Sequence, residues 1–249
     1  MHSLLTLLAP VLDPIVRIDF AVVHFFNQFA NHSLVLDRTV ALVEELFVVK
    51  GALFMAAMYW LWFLPSDDID RDRIRILRGF AGTMVAIAVT LTLDHFLPNR
   101  PRPLNEPALG FVLPTGSYDT PVADNSFPSD HGAMFFAVST IIWLRSRRWG
   151  IVAYIYTVLV IFLPRIYAGH HYPSDLIAGS AIGAFFVWLA ISVPLMVVVA
   201  AKYGWAAWIK FALVAFVFYG IAMLFTHPTT VPTRATTPKP KTKPQPATA

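Results

Sequence analysis

Apolar residues recur along this chain at two densities. Over residues 15–29 they fall at helical spacing, as Ile15, Ile18, Val22, Phe25, Phe26 and Phe29, with Arg17, Asp19, His24 and Asn27 on the rest of the turn. That spacing predicts an amphipathic helix lying in a membrane interface. Residues 34–47 are similarly mixed, carrying Asp37, Arg38, Glu44 and Glu45, and are expected at the membrane surface too, with Glu44 and Glu45 interfacial or one of them reaching the mouth of the site. From Val48 the polar positions thin out, and residues 48–64, 77–97, 129–145, 150–167, 174–199 and 205–225 each read as a transmembrane helix. At about 1.5 Å per residue several are only just long enough to cross ~30 Å of hydrocarbon. The polar residues flanking them must then lie near the interfaces.

Composition agrees and narrows the class. The 249 residues are 57% hydrophobic and 14% charged, against roughly 50% and 25% in a typical soluble domain. The fold class expected is therefore an all-α integral membrane protein, with about six transmembrane helices preceded by interfacial amphipathic helices. Three regions follow: N-terminal interfacial helices over 1–47, a transmembrane domain over 48–226, and a Pro/Thr/Lys-rich tail over 227–249 that is expected to be disordered. The start carries no Lys or Arg before Leu4 and is interrupted by Pro10 and Pro14, so it does not read as a secretion signal. The net charge of +4 belongs wholly to the tail, as Arg234, Lys239, Lys241 and Lys243; a nucleic-acid partner is not implied. With no Cys, thiolate chemistry and Cys-based metal sites are excluded.

Charge also sets the topology. Arg71, Arg73, Arg75 and Arg78 fill one linker and Arg145, Arg147 and Arg148 another, which makes both cytoplasmic by the positive-inside rule. The loop 98–128 and the turn near His170 then share the opposite, extracytoplasmic face. There the chain reads Asn99-Arg100-Pro101-Arg102-Pro103, then Phe127-Pro128-Ser129-Asp130-His131-Gly132, then Pro164-Arg165 followed by His170-His171-Tyr172-Pro173-Ser174-Asp175. Arginines beside histidines at helix ends point to an anion site with a proton-transfer partner. Asp175, four residues beyond His171, is placed to accept a hydrogen bond from one ring nitrogen and free the other for attack. Ser174 is expected to cap its helix, and the amides around Ser129–Gly132 to face an anion. His170, adjacent to the pattern but off it, is expected to face solvent or lipid. Trp60, Trp62, Trp143 and Trp149 are expected in the interfacial aromatic belts.

These three blocks resemble the signature of the type-2 phosphatidic acid phosphatase (PAP2) superfamily of membrane lipid phosphatases, over roughly residues 34–195. The third block matches as Arg165, His171 and Asp175, with Pro164 where the family has Ser; the second matches with Asp130 in place of Gly. The first aligns on Arg102-Pro103, which puts His95 where the family has Lys. The resemblance implies His171 as a nucleophile forming a phosphohistidine, Asp175 as its orienting partner and His131 as general acid. Arg102, Arg165, Ser129 and Gly132, with Arg100 and His95 as further candidates, would bind the substrate phosphate, and no metal or cofactor is required. The subgroup most similar is the bacterial undecaprenyl-diphosphate phosphatases, acting on a lipid diphosphate at the outer face of the cytoplasmic membrane. Phosphatidylglycerophosphate and phosphatidic acid phosphatases and lipid phosphate transferases share the signature. A lipid transporter is the alternative outside enzymes, and the oligomeric state is left open.

Overall fold

The computed structural model describes residues 2–117 and 125–192. Among them the chain is helical, its one β-like feature being an isolated bridge between Pro101 and Asn125. In order come α1 (His2–Asn27), α2 (Leu34–Glu45), α3 (Phe47–Phe63), α4 (Ile69–Phe96), α5 (Asp130–Arg145), α6 (Arg147–Tyr156), α7 (Leu163–Tyr167) and α8 (Pro173–Ser192). A π-helical turn, Thr157–Phe162, joins α6 to α7, so that Arg147–Tyr167 runs on as one rod. The wide turn sits immediately before Pro164, whose ring nitrogen has no hydrogen to give to an α-helical ladder. Local chemistry fixes the starts. Ser33 caps α2, Asp68 accepts from the Arg71 amide to cap α4, and Ser129 accepts from the Gly132 amide to cap α5.

Three described helices are long and apolar enough to cross a membrane: Ile69–Phe96, Arg147–Tyr167 and Pro173–Ser192. Val48–Phe63 is apolar but shorter, and α5 has only 16 residues, about 24 Å of rise. The expected sixth span, 205–225, and the tail lie outside the described residues, as does the end of the fifth. Large apolar side chains such as Ile155, Ile177, Phe185 and Trp188 point outward, the surface that a membrane protein gives to lipid.

The core is the triple contact of α4, α5 and α8, and small residues set its closeness. A Cβ at Gly179 or Gly183 of α8 would overlap the carbonyl of Ser129 or Ala133 at the start of α5. One at Gly82 of α4 would come within 2.5 Å of the Phe186 carbonyl oxygen of α8. Backbones this near are typical of helices associating in lipid, where close van der Waals contact replaces hydrophobic burial.

The two ends of the bundle differ in chemistry. At one, the two arginine clusters meet: Arg145 donates to the Leu64 carbonyl at 2.9 Å and pairs with Asp72 at 3.4 Å, while Arg78 donates to the Ile191 carbonyl. Trp60 and Trp149, both exposed, stack edge-on there, as belt residues would. At the other end lie Arg100, the starts of α5 and α8, and His131 and His171. α1 turns most of its apolar face outward, with Ile18 and Phe25 exposed, yet its Asp19 is buried among this second set.

Candidate active site

His171 lies in the turn between α7 and α8. The chain enters that turn through Gly169, whose φ of +76° belongs to glycine and whose missing side chain leaves room for Phe111 and Leu104. The Gly169 carbonyl accepts from the Leu104 amide at 3.0 Å, which docks the Arg-Pro loop on the turn. His171 is buried, and its Nδ1 lies 3.0 Å from the Ser126 carbonyl oxygen. A carbonyl only accepts, so Nδ1 carries the hydrogen and Nε2 keeps its lone pair. Burial first, then the charges of Arg102 and Arg165, holds the His171 pKa well below the ordinary 6.5. The ring is thus neutral, with its tautomer fixed and a lone pair left on Nε2.

The expected orienting bond from Asp175 is not what fixes it. Asp175 Oδ2 is 3.9 Å from His171 Nδ1 and instead accepts from the Tyr172 amide at 2.8 Å, reaching back over the start of α8. Its Oδ1 accepts from Arg100 at 2.5 Å. The four-residue spacing brings side chains together inside a helix, but His171 precedes α8, so the rule does not apply. Asp175 acts on the site through the backbone: its carbonyl accepts from the Ser129 amide at 3.1 Å and ties α8 to the start of α5.

Arg100 is likewise committed elsewhere. Its guanidinium donates to Asp175, to Asp19 of α1 at 2.7 Å and to the Ser174 hydroxyl at 2.8 Å, with its face 4.0 Å from the Tyr172 ring centroid. It clamps three elements, and the reading of it as a phosphate ligand gives way to that role. Ser174 is not the cap of α8 either; its amide donates to Asp19 Oδ1 at 2.9 Å, so α1 satisfies the helix start from outside. His95 is exposed at the end of α4, its ring edge-on to Phe96, which removes the structural support for it as the missing family lysine.

His131 opens α5, buried, with Nδ1 2.8 Å from Asp130 Oδ1. The same Asp130 oxygen accepts from the His131 amide at 2.7 Å, and the Gly132 amide goes to Ser129 Oγ at 3.2 Å. Of the amides counted on as an anion cradle, those of Ser129, His131 and Gly132 are therefore occupied by the protein's own acceptors. Positive charge at the site is carried by side chains: Arg165, 5% exposed, and Arg102, half-buried, both within electrostatic reach of His171.

Three further residues sit where the first expectation did not put them. His170, expected at the surface, is wholly buried, with Nδ1 3.4 Å from Glu44 Oε2. Glu44 is also buried, not interfacial, and its Oε2 is 3.9 Å from Arg165. Burial alone would raise its pKa, but Arg165, His170 and Lys50 outweigh that and hold the carboxyl well below the usual range, an anion at any ordinary pH. Lys50 of α3 is 2% exposed and donates to the Glu44 backbone carbonyl. A lone Lys three positions into an apolar stretch was the available signal.

Comparison with known proteins points the same way. Residues 77–199 match the PAP2 superfamily. The chain is 28% identical to the undecaprenyl-diphosphatase BcrC of Bacillus subtilis over 65% of its own length and 76% of that protein's. It is 32% identical to a lipid A 4'-phosphatase of Bacteroides thetaiotaomicron over 43% of this chain and 51% of that one. To an undecaprenyl-diphosphatase of Sulfolobus acidocaldarius it is 29% identical, over 43% and 50% respectively. No solved structure matches.

Proposed function

The chain belongs to the PAP2 superfamily, and we propose that, as a membrane phosphatase of that family, it removes the terminal phosphate of an isoprenyl diphosphate, the lipid carrier's diphosphate, through a phosphohistidine on His171. The observation that carries this reading is the buried, neutral His171 with Nδ1 pinned to the Ser126 carbonyl. Its Nε2 attacks the terminal phosphorus as the P–O bond to the lipid monophosphate breaks. His131, steadied by Asp130, acts as the general acid that gives a proton from Nε2 to that leaving oxygen. The neutral His131 then takes a proton from water as the water attacks the phosphohistidine, and inorganic phosphate leaves. Arg165 and Arg102 meet the charge that spreads over the equatorial oxygens of a loose transition state.

The relatives named as undecaprenyl-diphosphatases support the diphosphate substrate, and the arginine clusters at the far end of the bundle support an extracytoplasmic site in a bacterial cytoplasmic membrane. Purified protein is expected to release phosphate from farnesyl or undecaprenyl diphosphate in EDTA. It should do so faster than from phosphatidylglycerophosphate, phosphatidic acid or lipid A. His171→Ala should reduce turnover to background with the melting temperature in detergent kept. Full activity in that variant overturns the nucleophile assignment, and a preference for another lipid overturns the substrate.

A further inference from the structure

The bond that fixes His171 ends on a backbone carbonyl, and a carbonyl faces one way only if its peptide plane is held. The Ser126 oxygen that accepts from His171 Nδ1 at 3.0 Å shares a rigid plane with the Phe127 amide, and across a trans peptide the two point in opposite directions. Whatever pins the Phe127 N–H therefore aims the Ser126 carbonyl. That N–H donates to Asn125 Oδ1 at 3.2 Å, an Asx-type turn in which a side chain accepts from the backbone two residues on.

Asn125 is itself held from two more sides. The same Oδ1 accepts from the Arg100 amide at 3.0 Å, and Nδ2 donates at 2.9 Å to the Asp94 carbonyl in the last turn of α4. Two N–H groups on the oxygen and a carbonyl on the nitrogen leave the side-chain amide a single orientation. Arg100 completes the frame: its carbonyl accepts from the Ser126 amide at 2.9 Å, beside the bridge between Pro101 and Asn125. The Arg100 side chain is in turn tied to Asp19 of α1 and Asp175 of α8, so the frame cannot drift. Ser126 is 1% exposed, which leaves water little access to compete for its carbonyl.

We propose that Asn125 is a positioning residue of this site: with the Arg100 backbone it aims the Ser126 carbonyl at His171 Nδ1, and so keeps the Nε2 lone pair available to the phosphorus. This rests on the phosphatase reading above. The competing account is an Asn125 that only fastens its loop to the end of α4.

The test uses the full chain in detergent with two readouts: turnover of farnesyl diphosphate, and the tautomer of His171 by nitrogen NMR of histidine-labelled protein, its signal identified by loss in His171→Ala. Asn125→Ala should move hydrogen from Nδ1 to Nε2 of His171. It should also lower kcat about 10- to 100-fold with KM nearly unchanged, the range for removing a group behind a metal-bound imidazole. Asn125→Asp keeps an acceptor for the Phe127 and Arg100 amides and loses only the donation to Asp94, so it should restore most of both readouts. If the loop were merely fastened, the two variants would fall together. An Nδ1–H tautomer unchanged in Asn125→Ala overturns the proposal, whatever the turnover. Should Asn125→Ala not fold, Asn125→Asp decides: loss of Nδ1–H and of kcat there, with the acceptor still in place, overturns it too. An unaltered protein whose His171 tautomer depends on Asn125 yet which hydrolyses no diphosphate sinks the phosphatase reading and leaves the hold on His171 standing.

Discussion

The proposed attack by His171 requires a neutral ring, and its surroundings make it so over an unusually wide range. With its pKa held well below 6.5 by burial, Arg102 and Arg165, acidification adds the proton to Nε2 only after passing below the ordinary imidazole value. The limb of kcat/KM set by this residue should therefore fall on the acid side below pH 6.5, with activity lost as pH drops and retained as it rises through neutrality. A limb from His171 centred above 6.5 contradicts the burial described. At this scale the sequence was a good guide to identity and a poor one to partners. His171, His131 and Arg165 stand out because their types and spacings match a known signature. That Ser126 rather than Asp175 orients the ring depends on a carbonyl 45 residues away, brought in by the fold. Glu44, one of four charges on a mixed helix, reads as interfacial until that helix is packed, and Lys50, a lone cation early in an apolar run, stands out only once α3 is in place.

At the scale of elements, the site is built where α5 and α8 touch, so their approach is part of the chemistry. Gly179 faces the Ser129 carbonyl with no room for a methyl group. Gly179→Ala should push the start of α5, and His131 with it, away from α8. A loss of about 1–3 kcal/mol of stability is expected, the range for overpacking, with a fall in kcat larger than the change in KM. The check is thermal melting in detergent alongside steady-state kinetics; an unaltered kcat means that the contact relaxes without moving His131. The periodicity made the helices legible, since apolar runs bounded by charged linkers leave few other choices. It gave no hint of the glycine contacts, because closeness is a property of two helices, and it took α1 for a peripheral element because Asp19 reads there as the polar face of an interfacial helix.

For the molecule as a whole, the arginine clusters and the histidine site lie at opposite ends of one bundle, which makes sidedness measurable. The chain has no Cys, so single cysteines can be introduced without background. Ala108→Cys, exposed on the loop beside the site, should react in intact cells with a membrane-impermeant maleimide, and Arg148→Cys, exposed at the other end, only after permeabilisation. The reverse pattern inverts the assigned topology. The placement of the two sets at opposite ends was legible early, because it needs only the positions of charges along the apolar runs. The clamp at Arg100 has a further meaning for how the protein is made. Asp19 emerges from the ribosome 155 residues ahead of Ser174, the group it must meet. At roughly 5–20 residues per second that is a wait of roughly 8–30 s, during which the first helix made holds a carboxylate without the Ser174 amide and hydroxyl it will accept from. The active site is thus closed by its oldest segment acting last, and its completion reports that the whole catalytic bundle has been synthesised.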